Sequence, residues 1–217
     1  MPARALGRRG SVRVKVCGIT SAADALVAEA AGADAVGLIF APGSKRYVTP
    51  AVAAQICSAL GPFIARIGVF VDADLAEVVD LVRGLRLTGV QLHGGEPAAY
   101  AREVAKATKV LRAVPFTPGL TPSDLADYGA DAVLLDAATP GSGLPFAWDA
   151  AAPAWRGWPR LVLAGGLTPT NVAAAVRALE PYGVDVASGV EARPGVKDPE
   201  AVSAFVMAAK GASASAA

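Results

Sequence analysis

The chain has 217 residues, 23 of them glycine, and its 20 basic and 19 acidic side chains leave a formal net charge of +1. A chain of this length supports one domain with a substantial core, and its near-neutral charge argues against a partner such as nucleic acid. One histidine and two cysteines are too few for a histidine-rich zinc site or a four-thiolate site. We therefore expect a small-molecule substrate and no metal.

The two ends of the chain differ in composition from the rest. Residues 1–11 contain three arginines but lack the apolar run of a signal peptide, and no segment approaches 18 consecutive apolar residues. We expect a cytoplasmic protein with free thiols and no membrane partner. We also expect a basic, disordered extension at 1–11, one folded domain at 12–210 and a disordered tail at 211–217.

Short runs of valine, isoleucine and leucine alternate with alanine-rich helical patterns at intervals of roughly 25 residues. The eight predicted strands cover residues 12–16, 35–39, 65–71, 89–92, 110–114, 132–136, 161–164 and 184–187. Related Gly-x-Asp motifs at 32–34, 129–131 and 183–185 favour a closed array of repeated units. We predict an α/β fold, a single (β/α)8 TIM barrel near minimal length. A doubly wound open sheet is the alternative, although no Gly-x-Gly-x-x-Gly follows the first strand.

Several predicted helices follow a residue that is typical of helix N-termini. These residues are Ser21, Thr49, Asp72, Glu96, Ser123 and Asp198. We expect a helix to begin directly after each of them.

In a (β/α)8 barrel, functional residues lie where strands end and the following loops begin. The predicted strand ends and their loops carry Cys17, Arg46, Asp72, His93, Asp136, Gly165, Gly166, Ser188 and Gly189. Loops after the seventh and eighth strands commonly bind phosphate through backbone N–H groups. Structural uses remain open as well: Cys17 as a small buried side chain, Asp136 as a turn residue, His93 as a polar cap, Arg46 as a solvated loop residue and the glycines as ordinary turns.

Seven segments carry a combination of motifs that is more specific than any one of them. They are Lys-Val-Cys-Gly-Ile-Thr at 15–20 and the segments at 37–50, 68–73, 90–96, 134–143, 161–172 and 183–198. In this order and spacing they resemble the phosphoribosylanthranilate isomerases. The resemblance implies a TIM barrel that converts N-(5'-phosphoribosyl)anthranilate to 1-(2-carboxyphenylamino)-1-deoxy-D-ribulose 5-phosphate, an Amadori rearrangement in tryptophan biosynthesis. The oligomeric state, monomer or homodimer, stays open.

The resemblance assigns roles to individual residues. It implies that Cys17 is the base, that Asp136 is the acid and that Arg46 holds the anthranilate carboxylate. The phosphate would bind to backbone amides of Gly165, Gly166, Ser188 and Gly189, and His93 would either bind substrate or serve the structure. An aldose-to-ketose rearrangement of this kind needs an acid, a base and a phosphate clamp, but no cofactor.

The chemistry sets conditions on the two catalytic candidates. Cys17 must ionise to remove a proton, which requires a lowered pKa and a nearby cation or dipole. Lys15 lies two residues earlier, on the same face of an extended strand. Asp136 must hold a proton in order to act as an acid.

Other candidate residues are assigned to the structure. Cys57 falls in a helical pattern and is expected to pack against neighbouring side chains. Asp34 and Asp185 lie before the ends of their strands, so we expect both to be structural.

The sequence departs from the family pattern after the acid. Where the family has Gly-Gly-Thr-Gly, this chain has Pro140, Gly141, Ser142 and Gly143, and the family's Phe-Asp-Trp is Phe146, Ala147 and Trp148. We expect the proline to stiffen this loop. The change therefore bears on how the loop closes, and less on which residue is the acid. Two other functions stay open: an isomerase of the histidine-pathway aminosugar, and a barrel that binds phosphosugars without catalysis.

Overall fold

The structure is a computed structural model, and it describes residues 11–136 and 148–214. Within these residues, eight parallel strands pair in sequence order and close into a barrel. Strands β1 to β8 are Arg13–Cys17, Ala35–Ile39, Ala65–Phe70, Gly89–Leu92, Lys109–Pro115, Ala132–Asp136, Leu161–Leu163 and Gly183–Val186. The closed barrel confirms the predicted TIM fold, and the open-sheet alternative is wrong.

Helices cover the outside of the barrel. Helices α1 to α7 are Ala22–Ala30, Pro50–Ala59, Leu75–Leu85, Ala98–Ala105, Trp148–Trp155, Val172–Leu179 and Pro199–Ala214. A 3-10 helix at Pro122–Tyr128 follows β5, and a short antiparallel pair, β9 at Glu191–Arg193 and β10 at Val196–Lys197, follows β8. No helix in the described part of the chain is long and apolar enough to cross a membrane.

Three of the predicted helix starts are confirmed. The side chains of Ser21 and Thr49 accept hydrogen bonds from backbone N–H groups in the first turns of α1 and α2. Asp198 does the same directly before α7, where its carboxylate accepts from the backbone of Glu200 at 2.9 Å. Each of these side chains supplies an acceptor to an N–H group that has no partner within its helix.

The other three predicted starts are wrong, and for two of them the side chain has a different partner. The carboxylate of Asp72 accepts from the backbone of Gly95, and α3 begins two residues later, after Asp74. The carboxylate of Glu96 accepts from Asp72 N and Gly94 N, so this residue joins two loops. Helix α4 begins instead after Pro97. Ser123, the third, lies inside the 3-10 helix.

Small apolar side chains allow close packing inside and outside the barrel. Ala113, Leu134, Val162 and Ala164 form a buried cluster in the described part of the barrel. Helix α1 buries two alanines that are fully inaccessible to solvent, so its backbone can lie close to the sheet. This packing accounts for the many small residues in the chain.

The predicted tail at 211–217 is corrected in its first four residues. Helix α7 continues to Ala214, and Ala212 is 6% exposed within the main core. Burial of its apolar face against the core keeps this last turn helical. The predicted extension at 1–11 falls outside the described residues except for Ser11, as do the last three residues of the tail.

Candidate active site

A cavity of about 190 Å³ opens where the barrel strands end. Its wall contains every residue that the sequence analysis proposed for catalysis or substrate binding: Cys17, Arg46, His93, Asp136, Gly165, Gly166, Ser188 and Gly189. A larger cavity of about 640 Å³ opens at the opposite end, where Arg13 pairs with Asp34 and Lys109 pairs with Asp131 in ion pairs that stabilise the strands. We therefore take the smaller cavity, where a thiol, a carboxylate and an arginine converge, as the candidate active site.

Cys17 is the last residue of β1 and is 6% exposed. Lys15 precedes it by two residues and points into the barrel as well, and its ammonium group lowers the pKa of the thiol. Burial raises the pKa of the Cys17 thiol, and this effect exceeds the lowering by Lys15 and Lys197. This direction is opposite to the lowered pKa that a thiolate base requires, because desolvation exceeds the effect of the cations.

Lys15 is held by two partners inside the barrel. Its Nζ lies 2.9 Å from Oδ1 of Asp185 and 2.9 Å from Oε1 of Gln91. Burial lowers the pKa of Lys15, but the carboxylate of Asp185 and the thiol of Cys17 raise it by more, so the lysine remains charged. The assignment of Asp185 to a purely structural role needs correction, because this residue lines the candidate active site.

His93 connects this buried group with Asp136. Its Nδ1 lies 3.0 Å from Nε2 of Gln91, and its Nε2 lies 3.4 Å from Oδ2 of Asp136. Asp136 is the last residue of β6 and is 8% exposed. The sequence left open a structural role for each residue, His93 as a polar cap and Asp136 as a turn residue. Neither role explains why His93 contacts both Gln91 and Asp136.

Arg46 already holds a carboxylate of the protein. Its Nε and Nη2 each lie 2.7 Å from an oxygen of Glu191, and Lys197 approaches the same carboxylate at 2.9 Å. Burial raises the pKa of Glu191, but hydrogen bonds from Arg46 and Lys197 outweigh burial and keep its pKa below the ordinary value. Glu191 therefore orients the guanidinium at the cavity wall through a bidentate pair.

The two glycine loops after β7 and β8 meet at the cavity. Gly165 and Gly166 have φ angles of +81° and +64°, a conformation that favours glycine. A Cβ on Gly189 would clash with the backbone oxygen of Leu167, so the loops approach each other more closely than another residue would permit. Asn171 fixes the first loop by donating to the carbonyl of Gly166 at 2.9 Å.

Part of the predicted site lies outside the described residues. The altered loop from Pro140 to Gly143 and the following Phe146 and Ala147 belong to this part, whereas Trp148 begins α5. Within the described residues, no group of three or more histidine, cysteine, aspartate or glutamate side chains has the geometry of a metal site.

Four further residues belong to the site and were not proposed as functional from the sequence. Gln91 contacts His93 and Glu191 contacts Arg46. Asp185 lines the cavity, and Lys197 pairs with Glu191. Side chains two residues apart on a strand face the same side. Gln91 precedes His93 by two residues, so this pattern could have predicted that both face the cavity. The contact between Arg46 and Glu191 joins residues 145 positions apart, and no local pattern indicates it.

The chain is similar to known proteins over most of its length. A family model described as N-(5'phosphoribosyl)anthranilate (PRA) isomerase matches residues 14–208. An N-(5'-phosphoribosyl)anthranilate isomerase from Deinococcus radiodurans is 47% identical and covers 93% of this chain and 98% of its own. A phosphoribosyl anthranilate isomerase structure from Thermus thermophilus has a TM-score of 0.85 at 46% identity and covers 91% and 98% of the two chains.

A further solved structure informs on assembly. It is described as mutually generated monomers of the dimeric phosphoribosylanthranilate isomerase from Thermotoga maritima. It is 40% identical, has a TM-score of 0.81, and covers 92% of this chain and 99% of its own.

Proposed function

The chain belongs to the phosphoribosylanthranilate isomerase family, and we propose that Cys17 and Asp136 are the base and the acid of its reaction. The reaction is the Amadori rearrangement of N-(5'-phosphoribosyl)anthranilate in tryptophan biosynthesis. One observation carries the assignment of roles: a thiol and a carboxylate from strands on different sides of the barrel face one cavity, together with an arginine and two glycine loops.

The rearrangement requires two proton transfers by the protein. Asp136, when protonated, donates to the furanose ring oxygen, so the ring opens to a Schiff base. The thiolate of Cys17 then removes the proton from C2, and the electron pair of that C–H bond moves to form an enolamine. The enolamine tautomerises to the ketone product. Cys17 ends this sequence protonated and Asp136 ionised, so each must exchange a proton before the next turnover.

Formation of the thiolate depends on the cations beside Cys17. Lys15 and Lys197 both lower the pKa of the thiol, in opposition to burial. A buried thiolate is more reactive than a hydrated one because it has shed its water shell, and the lysines compensate its charge. The function of the Lys15 and Asp185 pair is thus to keep a cation beside the sulfur.

Arg46 is proposed to bind the anthranilate carboxylate with the edge of the guanidinium that Glu191 does not occupy. Glu191 contacts Nε and Nη2, so Nη1 and the second hydrogen of Nη2 form the remaining edge. This edge presents two parallel donors to a planar carboxylate. We propose that Gly165, Gly166, Ser188 and Gly189 bind the phosphate through backbone N–H groups.

The assay of purified protein with N-(5'-phosphoribosyl)anthranilate tests this function. We expect product formation by the wild type and a loss of between about 100-fold and 10,000-fold in kcat for Cys17→Ala. Cys57→Ala is the matched control, since it removes the other thiol from helix α2, and it should keep wild-type turnover. Substrate binding without turnover would support a non-catalytic barrel and contradict the proposal. The histidine-pathway aminosugar serves as a second substrate in the same assay.

We propose that the chain assembles as a homodimer through the amino-terminal end of the barrel. Phe63 is 99% exposed and lies at the rim of the 640 Å³ cavity there, and the Thermotoga maritima relative is described as dimeric. An isologous contact would place each Phe63 against the cavity of the second copy. Light scattering should give a dimer for the wild type and a monomer for Phe63→Ser. A monomeric wild type, or a dimeric variant, would contradict this assembly.

The cytoplasmic location expected from the sequence stays a prediction. It rests on the two free cysteines. Cell fractionation with an antibody to the chain would test it.

A further inference from the structure

Lys15 fixes the orientation of the Gln91 side chain. An ammonium group has only donors, so the atom of Gln91 that lies 2.9 Å from Nζ must be the amide oxygen. Gln91 is 1% exposed and Lys15 is 6% exposed, so bulk water does not compete for this contact. The chemistry of the ammonium group thus determines which end of the Gln91 amide is the oxygen and which is the nitrogen.

The orientation of Gln91 fixes the protonation of His93 in turn. The amide nitrogen of Gln91 carries only donors and lies 3.0 Å from Nδ1 of His93. Nδ1 must therefore accept, and the proton of the neutral ring is on Nε2, the atom that lies 3.4 Å from Asp136. With a proton on Nδ1, two N–H donors would face each other at 3.0 Å with no acceptor between them. Rotation of the amide would relieve this contact only by placing its NH2 group against the ammonium of Lys15.

We propose that Gln91 is a positioning residue that keeps His93 in the neutral Nε2–H form, so that no imidazolium lies beside Asp136 to hold it as a carboxylate. The inference rests on the proposed role of Asp136 as the acid. An imidazole is ordinarily a stronger base than a carboxylate, so a histidine beside a carboxylic acid tends to take its proton. Here Nε2 already carries a proton and Nδ1 is covered by the amide of Gln91. The ring offers no lone pair to the proton of Asp136.

Glutamate in place of Gln91 reverses this arrangement with little change in shape. The carboxylate of Gln91→Glu accepts from Lys15 as the amide oxygen does, but its second oxygen accepts from a protonated Nδ1. His93 would then hold protons on both nitrogens, and Asp136 beside it would be ionised. We expect kcat to fall by about 10-fold to 100-fold, less than for removal of the acid itself because Asp136 is still present, while KM changes little.

The experiment uses His93 as the single histidine of the chain. Histidine labelled with nitrogen-15 and a long-range proton–nitrogen correlation spectrum of the full-length protein report on this ring alone. We expect a wild-type ring at pH 7 with Nε2 protonated and Nδ1 bare, and a doubly protonated ring in Gln91→Glu. A wild-type ring with a proton on Nδ1 would overturn the proposal, and this result does not depend on whether any variant folds.

Two further readouts separate this inference from the proposed function. Gln55→Glu makes the same change on the exposed surface of α2 and should leave both the spectrum and kcat unchanged. If Gln91→Glu alters the ring as expected but retains wild-type kcat, the role assigned to Gln91 is wrong. If the wild-type spectrum is as expected but the protein does not convert phosphoribosylanthranilate, the proposed function fails while the assignment of the tautomer stands.

Discussion

The two ends of the barrel use the same kinds of charged residue in different surroundings. In the barrel interior, directly beneath the candidate active site, the side chains of Lys15 and Asp185 are only 7% and 9% exposed. At the amino-terminal end, those of Lys109 and Asp131 are 77% and 27% exposed, although the ion-pair distances, 2.9 Å and 2.8 Å, are nearly equal. Burial, and not the pairing itself, distinguishes the group that serves catalysis from the group that ties strands together.

The repeated Gly-x-Asp motif shows how the two ends come to differ. Asp34 and Asp131 lie directly before β2 and β6, where their carboxylates accept from the backbones of Val14 and Val110 at 2.9 Å and 3.0 Å. Asp185 carries the same motif but is the third residue of β8, so its side chain points into the barrel. A shift of position along the strand thus turns a structural carboxylate into part of the site.

The largest difference between the two ends is expected for loss of the lysine. Lys15→Met leaves Asp185 buried without its ion-pair partner, which should lower the free energy of unfolding by about 3–5 kcal/mol. Lys109→Met removes an exposed partner of Asp131 and should cost at most about 1 kcal/mol. Urea denaturation of both variants measures the two values. Equal losses would show that burial does not set the difference.

A smaller effect is expected for the carboxylate before β2. Burial raises the pKa of Asp34, but hydrogen bonds from Arg13, Val14 and Lys210 outweigh burial and hold its pKa below the ordinary value. A lowered pKa stabilises the fold above the unfolded pKa of about 3.9, and this contribution is lost as the pH falls through the folded pKa. Asp34→Ala should therefore cost about 1–2 kcal/mol at pH 7.

The pH dependence of this variant provides the control. The difference in the free energy of unfolding between Asp34→Ala and wild type should shrink as the pH falls from about 4 towards 2. A difference that stays constant over this range would show that the charge of Asp34 contributes nothing.

The smallest effect is expected for a pair that lies on the surface. Lys106 and Glu103 are 2.6 Å apart, but their side chains are 70% and 50% exposed. Lys106→Met should change the free energy of unfolding by less than about 0.5 kcal/mol. This variant gives the baseline for an ion pair that is exposed and does not connect two strands. A loss of unfolding free energy as large as that of Lys15→Met would contradict the comparison.

The fold could be predicted because its signals are local. Apolar runs with regular spacing locate the eight strands, and each observed strand begins and ends within one residue of its predicted position. The starts of α3 and α4 could not be predicted in this way. The carboxylates of Asp72 and Glu96 bind the backbone of loops that are distant in sequence, instead of the first turn of the next helix.

The site could be predicted only where it coincides with strand ends. Cys17 and Asp136 end β1 and β6, and the barrel rule locates them without further knowledge. Gln91 and Asp185 lie within their strands, and their function depends on which side chains meet across the barrel interior. The raised pKa of Cys17 likewise results from burial that only the closed barrel creates.

One pair of substitutions at the two ends of β6 tests the separation of the two ends most directly. Asp131 precedes β6 and Asp136 ends it, so Asp131→Asn and Asp136→Asn make the same change at opposite ends of the barrel. We predict that Asp136→Asn loses between about 100-fold and 10,000-fold in kcat with phosphoribosylanthranilate, with little change in stability. Asp131→Asn should keep its kcat and lose about 1 kcal/mol of stability. Wild-type turnover by Asp136→Asn, or an equal loss of kcat in both variants, would contradict the account.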